Sequence, residues 1–537
     1  MTSRLPAFLL TVAFGTTWLC LAQPGVAAPP DSPTPAVRAY NQGVKQVQDN
    51  ELEAALKSFN KAIELNDKFA HAYSDRGLVN ALLGNLDDAV ADTSKAIELV
   101  PNDPEYRLDR AFTYQQAGRY GKALADYNRV LQLAPKRAEA YRERGYVRVL
   151  LGDYRGAIRD LNEAIRLNDK DAAAYMARGV ALSRLGFWNE AIANQDRSLK
   201  LDPRNSEALI DRGYAKVMIG QASEALDDLD KAVELTEKDA AAHFTRGFAR
   251  THSKQYDKAI EDYDRALEID PDYAEVYRER AFAHALAGHP EQAAADFKKA
   301  IESSPEDAAV FLRRGQAHTV AEEYEKAIAD YDTAIELVPR YAEAMLNRAV
   351  ARFEAGNEDQ ALGDYRRVVA LQPLPVAGYR RWLEMAMYPE GEEALKKLDQ
   401  RLEESFEAAK MHFTAGVEHH KDGELDKAIA EYGKALGIYP RYPEVWYNRG
   451  LAYRKKGDLQ HAVEDYTGAL RLNPGFVPAY ANRGYTFYKL GELSRALADF
   501  RRVLQLDPEN EDAKRSEAII TRLLAGSQGE GEQTDGR

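Results

Sequence analysis

The chain has 537 residues, of which 45% are hydrophobic and 29% are charged. Its 72 basic and 86 acidic side chains give a formal net charge of −14 at pH 7, which argues against a general nucleic-acid binder because such proteins neutralise phosphates with a basic surface. Cys20 is the only cysteine, so a disulfide within the chain is excluded.

The first 28 residues differ in composition from the rest of the chain. Arg4 precedes an apolar stretch that ends near Leu21, and small residues follow as far as Ala28. This layout is typical of a secretory signal peptide over residues 1–28, and an uncleaved membrane anchor is the alternative. The proline-rich residues 29–35 are predicted to form an extended linker. We therefore expect an exported protein, periplasmic or extracellular in a bacterium, with no transmembrane segment after signal cleavage.

A repeat with a period of 34 residues, interrupted once, follows the linker. In each repeat a small residue is followed twelve residues later by alanine. The small residues are Gly43, Gly77, Ala111, Gly145, Gly179, Gly213, Gly247, Ala281, Gly315, Ala349, Gly416, Gly450 and Gly484, and the alanines are Ala55, Ala89, Ala123, Ala157, Ala191, Ala225, Ala259, Ala293, Ala327, Ala361, Ala428, Ala462 and Ala496. A fixed period of this length indicates one supersecondary unit that is copied and stacked.

Each repeat is predicted to contain two helices. Between successive small residues the apolar side chains follow a helical period, stop at a glycine such as Gly84 or Gly491, and resume. The glycine suits the left-handed residue that ends a helix, and a proline such as Pro101 ends the second helix in most repeats. The small residues remove side-chain volume where the two helices approach each other. The sequence therefore predicts an all-α chain of about thirteen to fourteen helix–turn–helix repeats.

The array is interrupted between Ala349 and Gly416, which are separated by 67 residues, one fewer than two periods. We interpret the intervening segment as a degenerate helical repeat that either alters the superhelical path or acts as a hinge, and that divides the protein into two potential binding surfaces. The predicted organisation is ten repeats at 36–375, the degenerate repeat at 376–408, three repeats at 409–510, a capping helix at 511–525 and a disordered tail at 526–537.

Aromatic residues complete the repeat pattern. They stand four residues before the small residue (Tyr73, Tyr141, Tyr175, Tyr277, Phe311, Trp446, Tyr480) and four after the alanine (Tyr127, Tyr263, Tyr331, Tyr365, Tyr432, Tyr466). With these residues the repeat resembles the tetratricopeptide repeat. The resemblance implies a right-handed α-solenoid whose concave groove is lined by the first helix of each pair and holds a protein or peptide partner.

Arginine and aspartate recur together along the array. Arginine directly precedes the small residue, and an acidic or amide residue follows sixteen positions later. The arginines are Arg76, Arg110, Arg144, Arg178, Arg212, Arg246, Arg280, Arg314, Arg348, Arg449 and Arg483, and their counterparts are Asp92, Asp126, Asp160, Asn194, Asp228, Asp262, Asp296, Asp330, Asp364, Asp465 and Asp499. We infer an Arg–Asp ladder between the two helices of each repeat; independent solvated charges are the alternative.

No motif for catalysis stands out from the repeats. The chain lacks a glycine-rich phosphate loop, a serine nucleophile elbow and a helical His-Glu-x-x-His. His412, His419 and His420 form the only local histidine cluster, without an accompanying cysteine and without the i, i+4 pair of helical zinc sites. We predict a non-catalytic protein with no cofactor and no metal site.

Two groups of residues are candidates for partner binding. The resemblance implies that the residue after the small column faces the groove, and there Phe112, Tyr146, Tyr214, Phe248 and Phe282 form an aromatic stripe; packing between first helices is the alternative. In the last repeats the predicted groove is basic and aromatic, which favours an acidic peptide, a carboxyl terminus or an anionic glycan, with a solvated helix end as the alternative. This second group comprises Tyr447, Arg454, Lys455, Tyr485, Tyr488 and Lys489.

These patterns favour an exported scaffold that holds a protein partner in its concave groove. The alternative function is a periplasmic adaptor in exopolysaccharide synthesis or export, which binds an anionic glycan or a partner of the export machinery. Because glycan binding through charge weakens with ionic strength, salt dependence distinguishes the two hypotheses.

Overall fold

The computed structural model describes residues 34–371, 383–384 and 388–529. The predicted signal peptide at 1–28, the beginning of the degenerate repeat and the last eight residues lie outside these ranges. Among the described helices, none combines the length and the hydropathy needed to cross a membrane.

Within the described residues the chain forms α-helices, one short 3₁₀ helix at Pro389–Gly391 and no strand. The helices are α1 (Pro35–Gln48), α2 (Leu52–Leu65), α3 (Ala70–Leu82), α4 (Leu86–Leu99), α5 (Pro104–Gln116), α6 (Tyr120–Leu133), α7 (Ala138–Leu150), α8 (Tyr154–Leu167), α9 (Ala172–Arg184), α10 (Trp188–Leu201), α11 (Ser206–Met218), α12 (Ala222–Leu235), α13 (Ala240–His252), α14 (Tyr256–Ile269), α15 (Ala274–Leu286), α16 (Pro290–Ser303), α17 (Ala308–Val320), α18 (Tyr324–Leu337), α19 (Ala342–Glu354), α20 (Glu358–Leu371), α21 (Glu392–Lys421), α22 (Leu425–Ile438), α23 (Pro443–Lys456), α24 (Leu459–Leu472), α25 (Val477–Lys489), α26 (Leu493–Leu506) and α27 (Glu511–Gly529).

These helices pack as hairpins in two compact units. Unit 1 contains α1–α18 and unit 2 contains α19–α27. Within each unit the two helices of a hairpin pack against each other, and the second helix also packs against the first helix of the next hairpin. This is the α-solenoid of stacked helix hairpins that the 34-residue period predicts.

Three helix boundaries differ from those expected. Pro35, expected in the linker, is the first residue of α1, because proline suits the first helical position. The Thr34 side chain caps this helix by accepting a hydrogen bond from Val37 N. The boundary expected between residues 408 and 409 lies inside α21, since neither glycine nor proline stands between Gly391 and Gly416. The last helix runs to Gly529, past the expected end at residue 525.

The turn glycines have the conformation that the sequence predicts. Ten of them, Gly84 among them, have φ between 67° and 93°, which is the left-handed region open to glycine at little cost. In the hairpin between α13 and α14, Lys254 takes this position instead, at φ 59°.

The small-residue column marks the closest approach of the two helices in a hairpin. A Cβ atom on Gly416 would lie 2.6 Å from the Tyr432 ring, and one on Gly315 would lie 2.6 Å from Tyr331. Both tyrosines are fully buried, as are the column alanines such as Ala428. The tyrosine ring therefore occupies the space that a side chain on the first helix would need.

We expect Gly416→Ala to destabilise the α21–α22 hairpin by about 1 to 3 kcal/mol, because the new methyl group overlaps the Tyr432 ring. Gly437→Ala is the control, because Gly437 lies in the same hairpin, is exposed and has no atom within 4 Å of an added Cβ. That variant is expected to be neutral, or stabilising by up to about 1 kcal/mol, through its higher helix propensity. Hydrogen exchange of α21 and α22 measures the stability change in each variant. Equal protection of these helices in the two variants would contradict the close approach at Gly416.

The Arg–Asp ladder is present. In ten hairpins the Nε and Nη2 groups of the arginine donate to the two oxygens of the aspartate, as in Arg280 and Asp296, at 2.7 and 2.8 Å. In the hairpin with asparagine, Arg178 Nε donates to Asn194 Oδ1 at 2.8 Å. Where the array lacks the arginine, near residue 415, Glu431 pairs with His412 instead, at 2.6 Å. Because each of these arginines donates to both oxygens of one aspartate, the alternative of independent solvated charges is excluded.

The arginine also joins neighbouring hairpins, which the sequence analysis did not predict. In eight hairpins its Nη1 group donates to a residue sixteen positions earlier, on the second helix of the preceding hairpin. Arg280 donates to Asp264 at 2.6 Å, and Arg144 donates to Asn128 at 2.7 Å. The Arg280 guanidinium also lies 5.5 Å from the centroid of the Tyr277 ring. Each such arginine therefore holds three helices together.

Candidate functional site on the inner surfaces

The first helices of the hairpins line the inner surface of each unit. Successive first helices contact one another, as α9, α11, α13, α15 and α17 do in unit 1 and α21, α23 and α25 do in unit 2, whereas successive second helices make at most isolated contacts. Helices that lie closer together are on the concave side of a curved stack. We call the surface formed by these first helices the inner surface of the unit.

In unit 2 the inner surface carries exposed tyrosines beside cations. Tyr485 is 42% exposed and Tyr488 is 36% exposed. The Arg454 guanidinium lies 5.5 Å from the Tyr485 ring centroid, and Lys489 Nζ lies 5.4 Å from it. The structure therefore brings a tyrosine and two cations from α23 and α25 together. We define the basic–aromatic surface by Tyr447, Arg454, Lys455, Tyr485, Tyr488 and Lys489.

The remaining members of this surface differ in exposure. Lys455 is exposed, whereas Tyr447 and Arg454 are half-buried. The Tyr447 hydroxyl accepts a hydrogen bond from Asn482 Nδ2 at 3.0 Å. Burial raises the pKa of Tyr447, and the charge of Arg454 opposes this effect. Tyr447 is thus a neutral, half-buried residue whose hydroxyl is held by Asn482 of α25.

The aromatic stripe of unit 1 is packed within the unit to a greater extent. Phe112 and Phe248 are each 6% exposed, and Phe282 is fully buried. Tyr146 and Tyr214 are half-buried, and the Tyr214 ring stacks on Phe248 at 5.7 Å between centroids. The packing alternative accounts for the three phenylalanines, which offer little surface to a partner.

Charged side chains also close part of the inner surface of unit 1. Glu279 lies between Arg278 and Arg313, each with a nitrogen 3.0 Å from its carboxylate. Burial raises the pKa of Glu279, but the charges of Arg313 and Arg278 outweigh it and lower the pKa to about 2. The Arg313 guanidinium also covers the Phe282 ring, at 4.6 Å from its centroid. This part of the surface is occupied by the chain's own side chains.

Models of one repeat family match most of the chain. Those described as tetratricopeptide repeat match residues 40–104, 113–182, 176–240, 210–274, 247–314, 320–374, 443–476 and 477–510, and one described as TPR repeat matches residues 416–457. This chain is a tetratricopeptide repeat protein. No curated protein matches it.

Three solved structures similar to this tetratricopeptide repeat (TPR) protein cover different shares of its chain. A tetratricopeptide repeat protein from Parabacteroides merdae is 20% identical, with 46% of this chain and 98% of that chain covered and a TM-score of 0.40. The Cut9–Hcn1 hetero-tetramer of APC/C is 16% identical over 84% of this chain and 96% of that chain, with a TM-score of 0.40. The first TPR of Spaghetti, bound to an HSP90 peptide, is 32% identical over 22% of this chain and 95% of that chain, with a TM-score of 0.22.

The first helices of this TPR protein also carry half-buried or buried acidic residues that were not predicted from the sequence. Asp75 accepts a hydrogen bond from the Tyr40 hydroxyl at 2.7 Å, and Asp109 accepts one from the Ser74 hydroxyl at 2.6 Å. Burial raises the pKa of Asp75 to about 6 and that of Asp109 to about 8. A sequence signal existed, because an acidic residue stands two positions before the small column in five repeats, at Asp75, Asp109, Glu143, Asp211 and Glu279.

The three histidines of the TPR protein do not form a common site. His412 pairs with Glu431 at 2.6 Å and His419 pairs with Glu424 at 2.8 Å. Burial lowers the pKa of His420, and the nearby charge of Lys455 lowers it further. Across the described residues, no group of three or more His, Cys, Asp or Glu side chains is arranged to hold a metal ion.

Proposed function

We propose that this TPR protein is a non-catalytic scaffold that binds a protein partner along its inner surface, with the basic–aromatic surface of unit 2 as the main contact. The observation that supports this most directly is the exposure of Tyr485, which is 42% exposed beside two cations, while Phe282 at the same place in its repeat is fully buried. Exposed tyrosine offers a large contact area at a small entropic cost.

The charge of the surface favours a negatively charged partner. Arg454, Lys455 and Lys489 make no ion pair with a carboxylate in the part of the chain that the structure describes, whereas Lys456, next to them in sequence, pairs with Asp426 at 2.5 Å. Three unpaired cations in a chain of net charge −14 attract an acidic segment or a free carboxyl terminus. The partner proposed is therefore a peptide segment with acidic side chains.

The proposed place of action follows from the sequence of the first 28 residues. They have the layout of a secretory signal, which supports a role in the bacterial periplasm or outside the cell. In that setting, an anionic glycan is the second candidate ligand, because carboxylated sugars also suit unpaired cations beside exposed tyrosine rings. The protein would then serve as an adaptor in exopolysaccharide synthesis or export.

We expect Lys455→Glu with Lys489→Glu to weaken binding of an acidic peptide at least tenfold, because two attractive charges become repulsive. The probe is a fluorescein-labelled nonapeptide of alternating Glu and Ser with a free carboxyl terminus, measured by fluorescence anisotropy at 50 and 300 mM salt. Polygalacturonate is the competitor that represents an anionic glycan.

The matched control is Lys427→Glu with Lys434→Glu, an equal change of charge at two exposed residues of α22, a second helix. This variant is expected to bind within about twofold of the wild type. Tyr485→Ala is expected to weaken peptide binding at both salt concentrations, because the ring contributes contact area and not charge. Equal losses in the control and in the test variant would contradict the proposed surface. Displacement of the peptide by polygalacturonate alone, with no effect of Tyr485→Ala, would favour the glycan.

A further inference from the structure

Glu207 on α11 differs from the other deeply buried carboxylates of the described residues, because it has no partner. Glu207 is 7% exposed and makes no hydrogen bond or ion pair, whereas every other carboxylate buried to this degree pairs with an arginine. The others are the ladder aspartates, Asp171 with Arg142, and Glu279 with Arg278 and Arg313. Leaving a buried charge unpaired is costly, so the exception calls for an explanation.

The position of Glu207 in its helix explains the residue type but not its burial. Glu207 is in the first turn of α11, where the helix dipole favours an acidic residue, and Glu105, Glu139 and Glu275 occupy the same place in other hairpins. Glu105 is exposed, and Glu139 and Glu275 are half-buried. Helix capping therefore does not require the burial seen at Glu207.

The surroundings of Glu207 contain further negative groups and no cation that pairs with it. Asp211 lies one turn later on α11, and Asp239 caps α13. Burial, with the charges of Asp211 and Asp239, raises the pKa of Glu207 to about 8. Tyr146 on α7 is also close, since the charge of Glu207 raises the pKa of that tyrosine.

Arg184 and His243 act on the acidic neighbours of Glu207 and not on Glu207 itself. Burial raises the pKa of Asp211 to about 6, and the charge of Arg184 on α9 opposes that rise. Burial also raises the pKa of Asp239, and His243 on α13 opposes that rise. Neither Arg184 nor His243 pairs with Glu207.

The Glu207 carboxylate remains open to a ligand. Gln195 on α10 donates to Asp211 at 3.3 Å, and its Oε1 atom is sealed from solvent without a hydrogen-bond donor. The carboxylate oxygens of Glu207 are not among the sealed atoms, so they keep contact with solvent. The site is therefore rich in acceptors and short of donors, and its carboxylate is not fully sealed from solvent.

We propose that Glu207 receives one positively charged side chain, lysine or arginine, from a protein partner that lies along the inner surface of unit 1. The partner would supply the cation that an arginine of this chain supplies to every other carboxylate so deeply buried in the described residues. This inference goes beyond the basic–aromatic surface, which selects acidic groups in unit 2. It rests on the proposed function only in assigning partner binding to an inner surface.

Binding of a cation at Glu207 requires the ionised carboxylate. Because the empty site holds a proton at neutral pH, the cation displaces that proton and its affinity increases as the pH rises toward 8. For a pKa near 8, the linkage allows an increase in affinity of up to about fifty-fold between pH 6 and pH 8. If Glu207 only fills space, the affinity for the cation should not change between pH 6 and pH 8.

The test is isothermal titration calorimetry of the full chain with an acetylated, amidated hexapeptide of alternating Arg and Gly at pH 6 and pH 8. The same peptide with citrulline in place of arginine is the uncharged comparison. We expect tighter binding at pH 8, and at pH 7 a release of protons that is revealed by buffers of different ionisation enthalpy. Glu207→Gln is expected to remove both the pH dependence and the proton release.

Two controls separate this site from general charge effects. Glu224→Gln makes the same change at an exposed residue of α12 and is expected to leave the pH dependence intact. Lys455→Glu with Lys489→Glu is expected to leave it intact as well, so that failure of the proposed function and failure of this site are distinguishable. An unchanged pH dependence in Glu207→Gln, equal binding of the citrulline peptide, or no binding at pH 8 would overturn the proposal.

Discussion

Arg280→Met is expected to destabilise the α15–α16 hairpin by about 3 kcal/mol, whereas Arg178→Met is expected to destabilise α9–α10 by about 1 kcal/mol. Loss of Arg280 leaves the buried Asp296 carboxylate unpaired, which is costly. Loss of Arg178 leaves only the neutral amide of Asn194 without a donor, and its cost is that of one unmade hydrogen bond.

The two arginines are closely matched in other respects. Each Nη1 group reaches the preceding hairpin, to Asp264 at 2.6 Å for Arg280 and to Asn162 at 2.7 Å for Arg178. Each guanidinium lies 5.5 Å from the ring centroid of a tyrosine. Asp296 and Asn194 are 7% and 8% exposed. Burial lowers the pKa of Arg178, whereas the hydrogen bond and charge of Asp296 outweigh burial and raise the pKa of Arg280. The two sites therefore differ mainly in the charge of the partners, the buried Asp296 and the exposed Asp264 for Arg280 against two asparagines for Arg178.

Native-state hydrogen exchange of the two hairpins gives the two free energies separately. Asp296→Asn in the Arg280→Met background is the further check, since removing the orphaned charge should recover about 1 to 2 kcal/mol. Equal losses at the two sites would show that the ladder acts through packing and hydrogen bonds and not through charge.

Glu207→Gln is expected to stabilise unit 1 by about 3 to 5 kcal/mol above pH 8 in the absence of a partner. The shift in pKa from the ordinary value of 4.5 to about 8 corresponds to this free energy at about 1.4 kcal/mol per unit of pKa. Glutamine fits the same space and has no charge to bury.

The pH window of this effect follows from proton binding. Below about pH 4.5 Glu207 is protonated in the folded and unfolded states, and the variant and the wild type are equally stable. Between about pH 4.5 and 8 the unfolded state loses the proton first, so the stability of the wild type falls as the pH rises. Hydrogen exchange of α11 at pH 5 and pH 8.5 measures the difference, with Glu275→Gln on α15 as the control. If Glu207→Gln stabilised unit 1 equally at pH 5 and pH 8.5, the raised pKa of Glu207 would not be the cause, and the prediction would be wrong.

The fold could be predicted from the sequence because the determinants of a hairpin are local and repeated. The period, the turn glycines and the small column each depend on contacts within one hairpin, so a pattern seen in thirteen repeats specifies the structure of each. The ladder was predictable for the same reason, since each ladder arginine is sixteen residues before its aspartate, or asparagine in one hairpin, within the same hairpin.

The exposure of the candidate site residues was not predictable, because it depends on neighbouring hairpins. Phe282 and Tyr485 follow the small column in the same way, yet Phe282 is fully buried and Tyr485 is 42% exposed. Arg313 of the next first helix covers Phe282, whereas α27 packs on α26 and no further hairpin follows α25 in the described chain. Glu207 likewise has equivalents in other hairpins, yet it alone among them is 7% exposed.

The contact that most ladder arginines make with the preceding hairpin affects how the array unfolds. In a solenoid, the size of the unit that opens together is set by the balance between the stability of one hairpin and the strength of its interface with the next. A guanidinium that spans that interface, as Arg280 does through Asp264, makes the opening of one hairpin costly for its neighbour. Unfolding within unit 1 should therefore spread through blocks of several hairpins, and such coupling keeps an extended surface in register while a partner binds to it.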